Sequence, residues 1–416
     1  MKKTLALVLA AAMVFSLAAC GSSNSSSAAK SEAPAAAASS AKSEAPAAAA
    51  SSAKSEAPAA AASSAKSEAP APAKEGGYYI GTNTWGSGVP NVDMIGDSRQ
   101  YALELFGCEV NRSSDDFTAD KELQNGQNMI AAGVDGICFQ GGAPNVVVQI
   151  AALAKEQNIP ITFDTQIGTE EILSDLAANN DMYLGAIDAN CTLAGEQLAQ
   201  RAWDDGCKTA IIIGGNIGDV NMDQRSEGFT RVFEGLGGKV VAEGRCTDQS
   251  ECATKMEDML SAHRDVECIY AMVGDYTAGS LSAMANIGVS PKMYLSNIDG
   301  DSAQYIKDGT ITAGNDGTLL PPLLAATLMM NYLAGNKIVG PDGKAAHLQT
   351  VPIEIDQSNV DLYIDVFCSS SNQPMSDDLL KSLVVTYNPD VNYDYYVDVI
   401  NNKLGLDELA EGLGLK

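Results

Sequence analysis

From Gly136 onward the chain alternates short apolar runs with amphipathic stretches. GICFQ (136–140) predicts a strand. NVVVQIAALAKEQN (145–158) predicts a helix, with apolar residues three and four apart and Asn145 as its cap after Pro144. IPITFD (159–164) predicts the next strand. The alternation continues through YLGAI, LAGEQLAQRAW, TAIIIGG, RSEGFTRVFEGL, KVVAEG, ATKMEDMLSAH, ECIYAM, AGSLSAMANIG and KMYLSNID. Strand–helix–strand repetition implies right-handed crossovers and parallel sheets. So many units exceed one comfortable sheet, so two sheets are expected, each with helices on both faces. Upstream, YYIGTNTWGSGVP (78–90) reads as a strand running into a Gly-rich loop. That loop carries Trp85, one of 2 tryptophans in the chain, with no apolar pattern around it.

In open α/β sheets, ligands bind outside the carboxyl ends of the strands, where chain order reverses. The residues at those ends here are Asn83 and Trp85, Gln140, Asp164 and Gln166, Asp188 and Asn190, Asn216, Asp275, Asn297 and Asp299, and Asn315 and Asp316. Turn chemistry accounts for each one alone, since Asp, Asn and Gly populate loops. Recurring at the same edge of successive strands, they point to a site for a polar, hydroxyl-rich solute.

Enzymatic readings find little support. The chain has 2 histidines, His263 and His347, both away from the predicted strand ends. There is no HExxH, no zinc-finger cysteine spacing and no GxSxG elbow. AIIIGGNIGD (210–219) lacks GxGxxG and a Walker lysine. DVNYDYY (390–396) starts like a calcium loop at Asp390, Asn392 and Asp394, but has Tyr395 where such a loop needs glycine and Asn401 where it needs glutamate. No cofactor, metal or catalytic residue is expected.

The N-terminus adds an address. MKKTLALVLAAAMVFSLAAC (1–20) has a basic start and an apolar run too short to span a bilayer, and it ends in Leu-Ala-Ala-Cys-Gly. This resembles a lipobox, with Cys20 as the lipidated new N-terminus. Residues 21–76 then repeat AKSEAPAAAASS with a 12-residue period that sets Lys30, Lys42, Lys54 and Lys66 in register. The repeat has no large apolar residue to bury, so it reads as a disordered tether with a reach of roughly 40 Å. The net charge is −27, and the acidic excess lies beyond the tether. Such a surface repels nucleic acid, so no nucleic-acid partner is expected. Of the 9 cysteines, several lie in apolar runs and read as buried thiols. Cys246 and Cys252 are the pair most open to a disulfide.

From about Tyr78 to Asp356 the chain resembles the type I periplasmic binding proteins, specifically ribose- and galactose-type substrate-binding lipoproteins of ABC transporters. AAGVDGICFQGGAPNVVVQIAALAKEQNIPITFDT, LGAIDANCTLAGEQLA, NMDQRSEGFTRVFE, MLSAHRDVECIYAMVGDYTAGSLSAMANIG and SNIDGDSAQYIKDGTITAG carry the likeness, in that order. It implies two Rossmann-like lobes joined by three crossings, with solute trapped between them by hinge closure. The implied lobes are 77–186 with 318–350 and 187–317 with 351–358, with crossings near 184–190, 315–319 and 349–353. Residues 359–416 form an extension beyond the likeness, expected to add a strand and helices.

The resemblance also implies a site. Trp85 stands where an aromatic stacks on the sugar face. Asp164 matches an acid that bonds hydroxyls, and Asp275 and Asp299 match second-lobe acids. Asn83, Gln140 and Asn190 complete the strand-end set. The chain departs from the family's pattern in several places. Thr165 stands where Arg often follows Asp164, and Asp223 where some members place an arginine. Arg225 matches the helix arginine, with a structural role equally open. The place of a common glutamine falls on Asp316 or Gly317. Acceptors thus outnumber donors, which implies a neutral or amine-bearing ligand rather than a phosphate or carboxylate. The implied partners are a small sugar-like solute, an ABC permease and, through Cys20, a membrane. A receptor feeding a chemotaxis or kinase partner is the alternative.

Overall fold

The computed structural model describes residues 77–165, 167–368 and 373–416, apart from the side chain of Asp275. Cys20 and the leader and tether at 1–76 lie outside the described residues, as does Gln166. All the described residues fall in one compact unit, Ser67–Lys416.

The first lobe is a six-stranded parallel sheet in the order β2-β1-β3-β4-β5-β11. Its strands are β1 (Tyr79–Thr84), β2 (Glu109–Ser114), β3 (Gly136–Gly141), β4 (Ile161–Thr165), β5 (Tyr183–Ala189) and β11 (Ala346–Thr350). The connections are α1 (Pro90–Leu105), α2 (Ala119–Ala131), α3 (Pro144–Glu156) and α4 (Glu170–Asn179). The second lobe has the sheet order β7-β6-β8-β9-β10-β12, parallel except for β12 beside β10. Its strands are β6 (Thr209–Ile213), β7 (Lys239–Gly244), β8 (Cys268–Ala271), β9 (Lys292–Ser296), β10 (Ala313–Asp316) and β12 (Ile353–Ile355). Its helices are α5 (Cys191–Asp204), α6 (Val220–Gly235), α7 (Gln249–Ala262), α8 (Thr277–Ile287) and α9 (Gly300–Lys307). Two such sheets, parallel-dominated and flanked by helices, are what the alternating pattern predicts.

Three short connections join the sheets: β5 to α5, β10 to α10 (Leu320–Leu333), and β11 to β12. β5 belongs whole to the first sheet and runs to Ala189, so that sheet continues past position 186. Helices α5 and α6 meet backbone to backbone. A Cβ at Gly195 would lie 2.2 Å from the Arg225 carbonyl oxygen, and one at Gly228 would lie 2.2 Å from that of Thr192. Only glycine permits that approach.

Local chemistry adjusts the expected boundaries. Helix α3 is capped by Ala143, with Pro144 in its first turn, so Asn145 lies inside the helix rather than capping it. Proline suits that first position because its missing N–H has no partner there anyway. The eight described cysteines are free thiols, Cys246 and Cys252 included, and all but Cys368 are buried.

The C-terminal extension is helical, with no strand among its described residues. It comprises α11 (Val360–Tyr363), a π-helical turn (Ile364–Cys368), α12 (Asp377–Ser382), α13 (Tyr393–Asn402) and α14 (Leu406–Gly412). The strand expected of this extension is thus absent from its described residues, and DLYIDVFC is helical. Helix α10 explains the need for the extension. Its residues from Leu320 to Asn331 are buried on every face, as befits a helix that is apolar all round. The first sheet covers one side, while the extension's Leu383, Tyr396 and Leu380 share its core. Asn331, fully buried, donates to the Leu383 carbonyl at 2.7 Å and accepts from the Val385 amide at 2.7 Å.

Candidate ligand-binding cleft

At the carboxyl ends of β1, β3 and β4 the first lobe assembles a polar network. Asn83 is fully buried. Its side chain accepts from the Gln140 amide at 2.8 Å and donates to the Gln140 carbonyl at 2.9 Å and to Asp115 at 2.6 Å. The Gln140 side-chain oxygen accepts from the Trp85 amide at 3.1 Å. Asn83 and Gln140 are thus spent on the protein, and what they hold in place is Trp85. Its indole is partly buried and rests on Gly142, where a Cβ would fall 1.9 Å from Cε3.

Asp164 has a partner that the sequence pattern does not reveal. Arg99, on α1, reaches across β1 to grip both its carboxylate oxygens, Nε to Oδ2 at 2.8 Å and Nη2 to Oδ1 at 2.5 Å. Both side chains are fully buried. Nη1 of Arg99 also donates to the Thr82 hydroxyl at 3.1 Å and the Asn83 carbonyl at 2.6 Å. The bidentate geometry fixes the guanidinium plane. Next to it, Thr165 donates to Asp164 Oδ1 at 2.9 Å and holds a left-handed backbone, φ 71°. A β-branched residue pays for that conformation in strain, and such strain gathers at functional sites.

The second lobe answers from the facing edge. Arg225, buried on α6, donates to the Met272 carbonyl at 2.8 Å and to the Asn297 side chain at 2.7 Å. It thereby holds the ends of β8 and β9, and Asn297 is also left-handed, φ 55°. Across the cleft, Asn221 of α6 donates to the Thr165 carbonyl at 3.4 Å, so the two strand-end edges face each other. Asn190 caps α5 by accepting from the Leu193 amide at 2.9 Å, at the first crossing.

Three of the expected acids have protein partners of their own. The carboxylate of Asp223, on the outer rim, pairs with Arg245. That arginine also binds the carbonyls of Gly215 and Asn216 at 3.0 and 2.8 Å, clamping the loop after β6. Asp299 caps α9 in a reciprocal box with Ser302. Asp316 accepts from the Thr318 amide and hydroxyl at 3.1 and 2.9 Å and from the Tyr363 hydroxyl, at the second crossing. Asp275 lies in the short turn Gly274–Tyr276.

Phe117 is a further rim residue outside the predicted set. It follows β2, is 44% exposed, has φ 59°, and lays its ring where a Cβ of Gly86 would stand. Its amide donates to the Trp85 carbonyl at 2.8 Å.

Beneath this rim, Glu122 is fully buried. Its two oxygens accept from the amides of Gly142 and Ala143 at 2.7 and 3.1 Å. Burial pushes its carboxyl up to about 8, and that of Asp115 up to about 6. The folded chain therefore keeps a proton on Glu122 that the unfolded chain releases near the ordinary value of 4.5. Across that interval the folded state binds more protons, so stability falls as pH rises towards 8 and levels beyond it. Urea unfolding from pH 6 to 9 should show this decline in the wild type and a shallower one in Glu122→Gln. Parallel profiles would mean that Glu122 is ionised throughout.

A family model described as a periplasmic binding protein domain matches residues 91–337. The ribose import binding protein RbsB of Escherichia coli (strain K12) is 28% identical over 228 residues, which is 54% of this chain and 74% of that protein. Its counterpart from Salmonella typhimurium is 27% identical over the same length. Among solved structures, the periplasmic component of the arabinose ABC transporter from Shewanella sp. ANA-3 aligns with a TM-score of 0.60 at 18% identity, covering 69% of this chain and 94% of that one. A carbohydrate transporter from Acidothermus cellulolyticus 11B in complex with myo-inositol aligns with the same score and identity, covering 69% and 97%. The two-lobed fold and the extent of the family match agree: this chain belongs to the periplasmic binding protein family.

Proposed function

We propose that the chain is the extracytoplasmic capture subunit of an ABC importer, closing its lobes on a neutral sugar or polyol and passing it to a permease. The observation that carries this reading is Trp85. A partly buried indole is held by its backbone at the cleft end of β1 and seated on Gly142. Sugars present C–H faces to such rings and hydroxyls to the surrounding polar groups. Trp85, Thr165 and Asn190 are the proposed ligand contacts. Asn83, Gln140, Asp164 and Arg225 act behind them, as supports.

Two ion pairs support a narrower ligand class. Asp164 and Asp223, whose negative charge made an amine-bearing solute attractive, are each paired with an arginine. A paired carboxylate has little left for an ammonium group, so a neutral polyhydroxyl compound is favoured. The names of the relatives, which mention ribose, arabinose and myo-inositol, point the same way.

A thermal-shift screen of neutral sugars, amino sugars and sugar acids tests this directly, because a ligand that binds only the native state raises its melting temperature. A neutral sugar should give the largest shift, and Trp85→Ala should remove it while the ligand-free melting temperature moves little. A shift confined to charged compounds, or one that survives in Trp85→Ala, would move the site or the ligand class.

The leader and repeat complete the proposal. Lipid at Cys20 would hold the protein to a membrane, with residues 21–76 as the leash. Cys20→Ser should move the chain from the membrane fraction to the soluble fraction. Retention at the membrane would show that something other than this cysteine anchors it.

A further inference from the structure

The C-terminal extension touches both lobes, and it does so beside the second crossing. On the second lobe, Asp361 pairs with Lys307 at 2.6 Å. Tyr363, fully enclosed and stacked on Phe367 at 4.9 Å, sets its hydroxyl 2.8 Å from the Ile298 carbonyl and 2.5 Å from Asp316 Oδ2. On the first lobe, Gln373 donates to Tyr101 of α1, and Tyr101 in turn donates to Asp377. Asn331 of α10 binds Leu383 and Val385, and the Thr327 hydroxyl lies 2.7 Å from that of Tyr396. Helix α14 joins the two halves of the extension. It packs on α11 and the π-helical turn, while a Cβ at Gly412 would meet the Ser376 hydroxyl at 3.4 Å.

Asp316 is where this matters. It ends β10, and its other oxygen holds Thr318 inside the crossing itself. Thr318 in turn lies 3.5 Å from Asn91, at the start of α1 in the first lobe. One carboxylate thus connects the hinge segment, the second lobe and the extension. Relative rotation of the lobes must move Asp316 against Tyr363 or Thr318, or else pull α11 and α12 apart. Either costs buried hydrogen bonds, and a bond to a charged group is among the more expensive to lose. The family model ends at residue 337, ahead of the extension.

We propose that Tyr363 is a positioning residue for lobe closure: through Asp316 it lets the C-terminal extension act as a strap that biases the ligand-free protein towards the arrangement seen here, in which Asn221 meets Thr165 across the cleft. The proposal rests on the binding-by-closure reading above. Its test uses the ligand-free protein, so its failure is distinguishable from a wrong choice of sugar.

Trp85 reports on the cleft. In a Trp203→Phe background it is the only tryptophan, since the chain has 2. Acrylamide quenching of its fluorescence then follows opening. Tyr363→Phe keeps the stacked ring and removes only the hydroxyl. Loss of one bond to a charged group shifts the open–closed ratio about tenfold, so quenching should rise in the full-length, ligand-free chain and fall back when a saturating sugar closes the lobes. Asp361→Lys, at a pair exposed by 73% on the acid side, should raise quenching in the same direction without endangering the fold. A purely structural tyrosine would lower the melting temperature and leave quenching unchanged. Unchanged quenching in both variants, or in Asp361→Lys alone should Tyr363→Phe fail to fold, overturns the proposal.

Discussion

The buried pair between Arg99 and Asp164 is the constraint around which the first lobe is arranged. It joins α1 to β4 and, through Thr82 and the Asn83 carbonyl, to β1 as well. A charge in a dry interior is tolerated only when it is paired and its remaining hydrogen-bonding groups are met. Here the guanidinium satisfies the carboxylate in two places and the strand ends accept the rest. Remove either partner and an uncompensated charge remains, a loss on the order of 3–5 kcal/mol in comparable buried pairs. The same pair bears on the proposed ligand class. An acid at the end of β4 would by itself favour a cation, but Arg99 beneath it balances that charge.

The second lobe follows the same design with different parts. Arg225 ties the ends of β8 and β9, and Arg245 draws Asp223 and the loop after β6 together. In each lobe arginines stand behind the strand ends and order the loops. The proposed contacts are then neutral: an indole, a hydroxyl and a side-chain amide. Neutral acceptors and donors around an aromatic face suit a solute with many hydroxyls and an apolar ring face.

Much of the fold was legible because period and element agreed. GICFQ, IPITFD and TAIIIGG fall on β3, β4 and β6, and the helices between them carry apolar residues at helical spacing. Three elements escaped for physical reasons. β2 is an edge strand with one apolar residue, Val110, and little to bury. α1 buries Asn91, Ser98 and Arg99, so its inner face does not look apolar. α10 is apolar on every side, so it has no periodicity to detect. The strand-end rule named residues that do lie at or just beyond the carboxyl ends of strands, yet it could not show which carboxylates were already engaged. Asp299 is a helix cap and Asp316 a hinge tie, and neither role leaves a mark in composition. Arg99 was hidden because it lies mid-helix, far in sequence from the aspartate it serves. Phe117 was hidden because the loop after β2 could not be placed until β2 was.

Charge balance is the claim on which the ligand class depends, and a cationic ligand tests it most directly. The neutral sugar that most stabilises the protein and its amine-bearing analogue should be titrated by calorimetry at low and at high salt. Salt screens the attraction between an ammonium group and an unpaired carboxylate and leaves a neutral ligand almost untouched. The account predicts that the amino sugar binds no more tightly than the neutral one and that its dissociation constant changes by less than about twofold with salt. An amino sugar that binds about tenfold or more tightly than the neutral one at low salt, and loses that advantage at high salt, would contradict the role assigned to Arg99.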